Sequence, residues 1–276
     1  MESDVGGVSG VSGVSGVEHD KVNSQAVAGA PCWVTLLSRE LSASQAFYGN
    51  VLGWSYRAAG LGDDFCVALS DGMAVAGIGA LASSLQVAVS WTPYFAVANV
   101  DEAAARIRER GATVAVGPLA FHTGRAALAT DPDGAAFGIW EGAVRSDWTV
   151  GRGSAPAWLE LRTRDTVDAA RFYGQVLGWA PETADGFTLV HEEDHAVLRQ
   201  DEQVVARIRG GAVQATPDPQ SRPRWHVYFR VPEVSRSVEA AVKDGGRLIS
   251  PPEATEGLRE ATLRDPDGAL FTVTSR

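Results

Sequence analysis

The amino-acid sequence predicts an α+β fold made of four βαβββ modules, two in each half of the chain. The first observation is a repeat: residues 47–54 read FYGNVLGW and residues 172–179 read FYGQVLGW, at an offset of 125 residues. The second is an Asp-Pro-Asp-Gly motif that closes each copy, at 131–134 and at 265–268. A repeat of this length indicates a duplicated domain, because solenoid units span only about 20–50 residues.

Local patterns predict the elements of the first copy. A helix carries Phe47, Val51 and Leu52 on one face, and Ser42 or Ser44 is a suitable N-terminal cap. The Asp-Pro-Asp-Gly segment supplies the fixed and left-handed backbone angles of a tight turn between two strands. The other predicted elements are strands at 33–37, 65–69, 74–78, 91–97, 126–130 and 136–140, and a second helix at 101–110 that Gly111 ends.

The second copy repeats this order. Asp165 is the predicted cap of its first helix. Residues 190–195 read as an acidic hairpin turn, so the i, i+4 spacing of His191 and His195 does not indicate a helical metal pair. The other predicted elements are strands at 158–161, 187–190, 204–209 and 225–231, a helix at 235–244 and a closing hairpin around 265–268.

Composition limits the function classes. The net charge of −10 argues against non-specific nucleic-acid binding, which needs a basic face. Cys32 and Cys66 are the only cysteines and give no disulfide framework, so a cytoplasmic protein is expected. No apolar run reaches the about 18 residues of a transmembrane helix, so no membrane partner is expected.

Composition also predicts the domain boundaries. Residues 1–29 contain a Val-Ser-Gly repeat and are predicted to form a disordered tail. Residues 30–142 and 156–276 are predicted to be the two domains, with residues 143–155 as the linker between them.

Together these motifs resemble the vicinal oxygen chelate superfamily, which includes glyoxalase I, bleomycin-resistance proteins and extradiol dioxygenases. The resemblance covers residues 31–276 and rests on the FYxxVLGW helix, the mid-copy Tyr-Phe-x-Val strand and the Asp-Pro-Asp-Gly hairpin. It implies two glyoxalase-like domains, each forming a curved mixed sheet around an open cleft. It does not imply one activity, because this fold supports many reactions.

The resemblance also implies where metal ligands would stand, on the first and last strands of each module. Only His226 among these positions is a good ligand for a divalent metal, whereas a site needs several converging groups. We therefore expect no metal and no cofactor. The implied positions are Trp33, Thr92, Trp158 and His226 on first strands, and Gly77, Gly138, Ala206 and Thr272 on last strands.

Strand alternation predicts which side chains face the clefts, because successive residues point to opposite faces of a sheet. Aromatic walls with a few polar groups suit a flat, bulky organic ligand. The alternative is that these aromatic residues only fill the interior. The expected ligand-binding residues are Trp33, Thr35, Thr92, Tyr94, Trp158, Arg162, Arg230 and Thr272, together with Arg125 and Arg259, which could instead hold a structural carboxylate.

Three cleft-facing residues are candidates for catalysis. His226 could act as a general acid or base without a metal, and Glu160 could orient it or act as base itself. Tyr228 could donate to a developing enolate or phenolate oxygen. The alternatives are that His226 bonds a neighbouring strand and that Glu160 forms an ordinary salt bridge with Arg162 or Arg230.

These features support three functional hypotheses. The first is a metal-independent enzyme of bacterial natural-product biosynthesis that performs an aldol-type cyclisation or isomerisation on a bulky aromatic or polyketide molecule. The second is a protein that sequesters a drug or metabolite, and the third is a metal-dependent lyase or dioxygenase. The sequence leaves open whether modules pair within or across copies and whether the protein is a monomer or a homodimer. If only one pocket works, it is expected to contain His226.

Overall fold

Each copy of the repeat forms its own mixed β-sheet, as the computed structural model of the chain shows. We refer to β1–β9 as domain 1 and to β10–β17 as domain 2. The structure describes residues 22–25, 27–179, 187–192, 195–200, 203–213, 218, 221–255 and 258–275. The predicted α+β fold of two duplicated domains is confirmed.

Domain 1 contains the first two βαβββ modules. Its sheet has the strand order β3-β4-β5-β2-β6-β9-β8-β7, and β1 pairs with the end of β9. The elements are β1 (Val22–Gln25), β2 (Pro31–Leu37), α1 (Leu41–Leu52), β3 (Ser55–Ala58), β4 (Phe65–Ser70), β5 (Met73–Gly79), α2 (Ala82–Leu85), β6 (Ser90–Ala96), α3 (Val100–Glu109), β7 (Thr113–Phe121), β8 (Gly124–Thr130) and β9 (Ala136–Arg145).

Domain 2 repeats this topology with the strand order β11-β12-β13-β10-β14-β17-β16-β15. The elements are β10 (Trp158–Arg162), α4 (Thr166–Leu177), β11 (Phe187–His191), β12 (His195–Gln200), β13 (Gln203–Arg209), β14 (Arg224–Arg230), α5 (Val234–Lys243), β15 (Arg247–Thr255), β16 (Leu258–Arg264) and β17 (Leu270–Thr274). Among the described residues, no helix has the length and apolar character needed to cross a membrane.

The two layers of the fold pair the modules differently. Within each domain the sheet joins its two modules through adjacent first strands, β2 with β6 and β10 with β14. The helices instead pair across domains, α1 with α5 and α3 with α4. Modules therefore pair within a copy through hydrogen-bonded strands and across copies through packed helices.

Several predicted boundaries need correction. The predicted tail extended to residue 29, but Val22–Gln25 pairs with β9, while residues 1–21 lie outside the described residues. The linker begins later than expected because β9 continues to Arg145. The linker is also packed: Trp148 is buried, and its Nε1 donates to the carbonyl of Val75 at 2.8 Å.

The helix caps are confirmed in part. Asp165 caps α4 as predicted, accepting from the backbone of Val167 at 2.8 Å. In α1 the cap is Glu40 rather than Ser42 or Ser44, and its carboxylate accepts from Ala43 N at 2.6 Å. Ser44 lies within the helix and donates to the carbonyl of Glu40, so its hydroxyl is used inside the first turn.

The repeated motifs meet at the interface between the domains. Tyr48 of α1 accepts from Trp91 Nε1 at 3.0 Å and donates to Asp265 Oδ2 at 3.0 Å. The other oxygen of Asp265 accepts from the backbone of Gly268 and Ala269, both at 2.7 Å. One carboxylate thus organises its own tight turn and binds the tyrosine of the other domain.

The same network recurs with the domains exchanged. Tyr173 accepts from Trp225 Nε1 at 2.9 Å and donates to Asp131 Oδ2 at 3.1 Å. Each tyrosine lies in an aromatic cluster drawn from both domains. The clusters are Tyr48, Trp54 and Trp91 with Phe229 and Phe271, and Tyr173, Trp179 and Trp225 with Phe95 and Phe137.

The second aspartate of each closing motif also bridges the domains. Asp267 accepts from Arg39 through the backbone and the guanidinium, both at 2.7 Å. Asp133 is bound in the same way by Arg164, and also accepts from Thr163 Oγ1 at 2.8 Å. Both aspartates of the Asp-Pro-Asp-Gly motif are therefore interface residues.

Removing one interface hydroxyl should destabilise the protein. We expect Tyr48→Phe and Tyr173→Phe each to lower the free energy of unfolding by about 1–3 kcal/mol, because a buried tryptophan N–H and a carboxylate lose their partner. Urea unfolding measures the change. Tyr56→Phe is the matched control, since the Tyr56 hydroxyl is buried without a hydrogen-bond partner and its removal should cost little. Equal losses in all three variants would contradict the assignment.

The interface should also give stability a pH dependence. Burial, only partly offset by hydrogen bonds from Ala135 N and Tyr173, raises the pKa of Asp131 from 3.8 to about 6. A raised folded-state pKa contributes stability that is complete below the unfolded pKa and is lost as pH rises through the folded pKa. The difference in unfolding free energy between wild type and Asp131→Asn should therefore fall by about 3 kcal/mol between pH 4 and 6, then level off.

Asp133→Asn is the control for this titration. Burial alone would raise the pKa of Asp133, but hydrogen bonds from Arg164 outweigh it and hold the pKa below its ordinary value. Its stabilising effect should be lost only in stronger acid, so its difference from wild type should stay level from pH 4.5 to 7. A level profile for Asp131→Asn over the same range would contradict the prediction.

Candidate functional site

Domain 1 encloses a large cleft on the concave side of its sheet, with a volume of about 710 Å³. Residues from both edge strands, Arg57 of β3 and Leu119 of β7, line the same space. These strands lie at opposite ends of the strand order, so the sheet curls until its edges approach across the cleft. The volume falls within the range of about 300–1,000 Å³ that is typical of small-molecule sites.

The walls of this cleft are mostly apolar. Trp33, Thr35 and Leu37 of β2 line it, while the alternating residues Val34 and Leu36 are fully buried in the core beneath the helices. The predicted alternation of β2 is therefore confirmed. The other large apolar side chains of the walls are Phe65, Val67, Leu81, Leu85, Tyr94, Val116, Leu128, Trp140 and Val144.

The mouth of the cleft exposes apolar side chains. Leu61 is 47% exposed, Leu119 is 48% exposed and Phe121 is 37% exposed, and all three line the cleft. His122 lies beside Phe121 at the tip of the β7–β8 hairpin. Exposed apolar groups around an open cavity indicate a surface that a ligand covers.

Few polar groups line the cleft, and two of them escaped the sequence analysis. Arg57 belongs to β3, a strand that was not predicted, and Arg145 lies in a segment assigned to the linker. Arg145 forms an ion pair with Asp147 at 2.8 Å. No carboxylate is among the described residues that line this cleft.

Strand register shows why the two domains differ on this face. Three cross-strand pairs occupy equivalent places, at offsets of 125 and 134 residues. In domain 1 the pairs are Trp33–Tyr94, Thr35–Thr92 and Leu37–Ser90. In domain 2 they are Trp158–Tyr228, Glu160–His226 and Arg162–Arg224.

A third strand extends the contrast. Gly77 lies beside Thr35 and Gly79 beside Leu37 in domain 1. At the same places in domain 2, Arg207 lies beside Glu160 and Arg209 lies beside Arg162. The last two of these pairs and this third strand thus carry uncharged residues in domain 1, whereas long charged side chains occupy most of the equivalent places on the concave face of domain 2.

The predicted catalytic residues lie together on domain 2. Glu160 and His226 are directly opposite in register and almost fully buried. Glu160 is held by Arg162 Nε at 2.6 Å and by Arg209 Nε at 3.4 Å, so the salt-bridge alternative describes its contacts. Tyr228 stacks on Trp158 with ring centroids 4.6 Å apart.

His226 is buried as a neutral imidazole. Burial first, and then the charges of Arg224 and Arg162, lower the pKa of His226 well below its ordinary value. Its Nε2 bonds Thr272 Oγ1 at 2.8 Å, and Thr272 in turn bonds Thr262 at 2.9 Å. This contact matches the alternative prediction, in which His226 forms a hydrogen bond with a neighbouring strand.

Two of the remaining predicted ligand residues, Arg230 and Arg125, are engaged elsewhere. Arg230 donates to the linker carbonyl of Gly151 at 2.8 Å, and Arg125 pairs with Asp101 at 2.7 Å at the start of α3. Arg259 is exposed on β16. Thr92 is fully buried opposite Thr35.

The family-implied metal positions do not fit a metal. A side chain at Gly77 would meet the ring of Phe65 at 2.6 Å, and one at Gly138 would overlap the ring of Tyr94. Aromatic rings therefore occupy the space that ligands at these two positions would need. Within the described ranges, no group of three or more His, Cys, Asp or Glu side chains could hold a metal ion.

Comparison with known families and proteins agrees with this architecture. Residues 31–139 match the model of the Glyoxalase/Bleomycin resistance protein/Dioxygenase superfamily, and residues 158–274 match that of a Glyoxalase-like domain. The anthracycline biosynthesis protein DnrV of Streptomyces peucetius is 33% identical over 268 residues, which cover 89% of this chain and 92% of the relative. The chain belongs to the Glyoxalase/Bleomycin resistance protein/Dioxygenase superfamily.

The chain is also similar to a second biosynthesis protein and to a solved glyoxalase structure. The anthracycline biosynthesis protein DauV of Streptomyces sp. (strain C5) is 31% identical over 263 residues, covering 89% of this chain and 92% of the relative. The Mn(II)-bound glyoxalase from Novosphingobium aromaticivorans shares the fold with a TM-score of 0.55 and 17% identity, over 90% of this chain and 82% of that chain. Our chain thus shares a fold with a metal-bound protein while its own described residues offer no matching ligand set.

Metal analysis tests whether the protein binds a metal despite these substitutions at the ligand positions. Protein purified without chelators should contain manganese, iron, nickel and zinc far below one equivalent, because His226 is a single good ligand among positions that otherwise carry glycine, alanine, threonine and tryptophan. Inductively coupled plasma mass spectrometry measures the content. One equivalent of any of these metals per chain would contradict the expectation.

Proposed function

We propose that this protein takes part in a bacterial natural-product pathway and that its domain 1 cleft binds a bulky, largely aromatic molecule without a metal. The observation that carries the proposal is the open apolar cleft of about 710 Å³, walled by Trp33, Tyr94 and Trp140. Flat aromatic ligands gain most of their binding free energy from such walls. The relatives named as anthracycline biosynthesis proteins supply the biological setting.

The chemical role proposed first is binding. General acid–base catalysis needs a titratable group within hydrogen-bond reach of the reacting atom. The cleft lining has no carboxylate among its described residues, and its imidazole, His122, lies at the mouth. These features favour a protein that holds or delivers a metabolite.

A metal-independent isomerisation or aldol-type cyclisation is the second candidate. His122 could exchange a proton with a substrate that projects from the cleft, since histidine is the side chain that most often acts as a general acid or base. His226, Glu160 and Tyr228 were the predicted catalytic residues, but they lie on the concave face of domain 2. We therefore do not assign them to a ligand of the domain 1 cleft. A cytoplasmic location remains part of the proposal, since Cys32 and Cys66 are both free thiols.

Ligand binding tests the proposal directly. Emodin, a planar tricyclic anthraquinone, should quench tryptophan fluorescence saturably. Leu37→Arg should weaken binding at least about tenfold, because it places in the cleft the charge that domain 2 carries at the equivalent position, and burying a charge beside an apolar ligand is costly. Leu119→Ser should weaken binding less, because Leu119 lies at the mouth.

The control for this titration is Val167→Ser. Val167 is 54% exposed, close to the 48% of Leu119, but it lies on α4 and outside the cleft. Its affinity for emodin should match wild type, and thermal unfolding should show that each variant is folded. If wild type gave no saturable quenching, or if all three variants bound equally, the proposed binding site would be wrong.

Turnover separates binding from catalysis. A polyketide anthraquinone or its open-chain precursor, incubated with the protein and analysed by mass spectrometry and chromatography, should be recovered unchanged if the protein only binds it. Conversion that His122→Gln abolishes, while emodin binding persists, would favour the enzyme.

A further inference from the structure

A row of three arginines crosses the concave face of domain 2. Arg209 of β13, Arg162 of β10 and Arg224 of β14 are directly paired in register on three neighbouring strands. Residues paired in this way point to the same side of the sheet, and neighbouring strands lie about 4.8 Å apart. The three guanidinium groups therefore share one face.

The acidic groups near this row include Glu160 and Asp218. Glu160 is the acidic partner of both Arg162 and Arg209, so two cations share one buried carboxylate. The side chains of Arg162 and Arg209 keep 40% and 36% of their surface exposed. Glu160, and to a lesser extent the exposed Asp218, favour the charged form of Arg224. Among the described residues, Arg162 and Arg209 therefore share one acidic partner, and both side chains remain within reach of a ligand.

The fold itself does not require this arrangement. Domain 1 has Gly79, Leu37 and Ser90 at the same three places. Like charges directly opposite one another destabilise a sheet. Burial first, and then Arg162, lower the pKa of Arg224 to about 10. A costly arrangement that the sister domain lacks is characteristic of a binding site.

A second observation comes from the adjoining pair of residues. His226 is 3% exposed, and its Nδ1 has no hydrogen-bond partner, while its Nε2 is used by Thr272. A buried polar atom is normally paired, by protein or by a bound molecule. His226 stands opposite Glu160 and close to Arg162 and Arg224, whose charges act on it.

We propose that the concave face of domain 2 binds an organic carboxylate through the arginine row. The planar fork of a guanidinium matches a carboxylate with two parallel hydrogen bonds. The unpartnered Nδ1 belongs to His226, which lies directly opposite Glu160 and one cross-strand pair away from Arg162 and Arg224. Domain 1 thus takes an apolar ligand and domain 2 an acidic one.

Calorimetric titration with benzoate at low ionic strength tests this site. Wild-type protein should bind benzoate saturably, and Arg162→Gln and Arg209→Gln should each weaken binding about tenfold or more, because each removes a charged hydrogen-bond donor. Two variants are used because either one alone could disturb Glu160, and thermal unfolding should show that the variant analysed is folded.

Arg171→Gln is the matched control, because it makes the same change in charge at a 66% exposed side chain on α4. It should bind benzoate like wild type. Equal weakening by Arg171→Gln, or no saturable binding by wild type, would overturn the proposal. Binding of inorganic phosphate in preference to benzoate would overturn the carboxylate assignment. Emodin binding should be unchanged in Arg209→Gln. A negative result for benzoate would therefore leave the proposal for the domain 1 cleft intact.

Discussion

The hydrogen bond between a tyrosine of one domain and an aspartate of the other is the constraint on which the architecture depends. Tyr48 donates to Asp265 and Tyr173 donates to Asp131, each inside an aromatic cluster that both domains supply. A buried carboxylate is costly unless it is well bonded, and each of these also accepts two backbone N–H groups of its own turn. The same atoms therefore fix a hairpin, a helix and the orientation of one domain against the other.

This arrangement explains which parts of the two copies are alike. The repeated helix and closing motifs lie at the interface, on the opposite side of each sheet from the concave face. Changes on the concave face do not disturb these contacts. One domain can therefore carry Thr35 and Leu37 while the other carries Glu160 and Arg162 on the same scaffold.

The sequence predicted the fold well because its strongest signals are local and repeated. Strand alternation predicted that Glu160 faces the cleft side of β10, and the alternating residues Leu159 and Leu161 are fully buried in the core. The structure shows that Thr35 lies opposite Thr92 in one copy and Glu160 opposite His226 in the other, a pairing that the sequence left open. Edge strands such as β3 were missed because they are short and largely exposed.

The candidate sites were harder to predict because cleft volume depends on neighbours that are distant in sequence. Counting polar residues pointed to His226, yet the large cleft lies in domain 1, where the glycines beside Thr35 and Leu37 make room for the Phe65 ring of a neighbouring strand. Arg230 was predicted to face a ligand, but the packed linker supplies carbonyl acceptors for it. The sequence predicted no contacts for the linker, so it could not show that Arg230 binds there instead of binding a ligand.

The linker has one further consequence. Trp148 is anchored to β5 and its ring lies 5.6 Å from that of Trp33, a wall of the domain 1 cleft. Arg230 of domain 2 donates a hydrogen bond to the Gly151 carbonyl in the same segment. The linker therefore connects the two domains and also packs against both of them. Separately produced halves would have to associate through the tryptophans and aspartates of their interface, which separation would expose. A first half that lacked the linker would also lose the contact between Trp148 and Trp33.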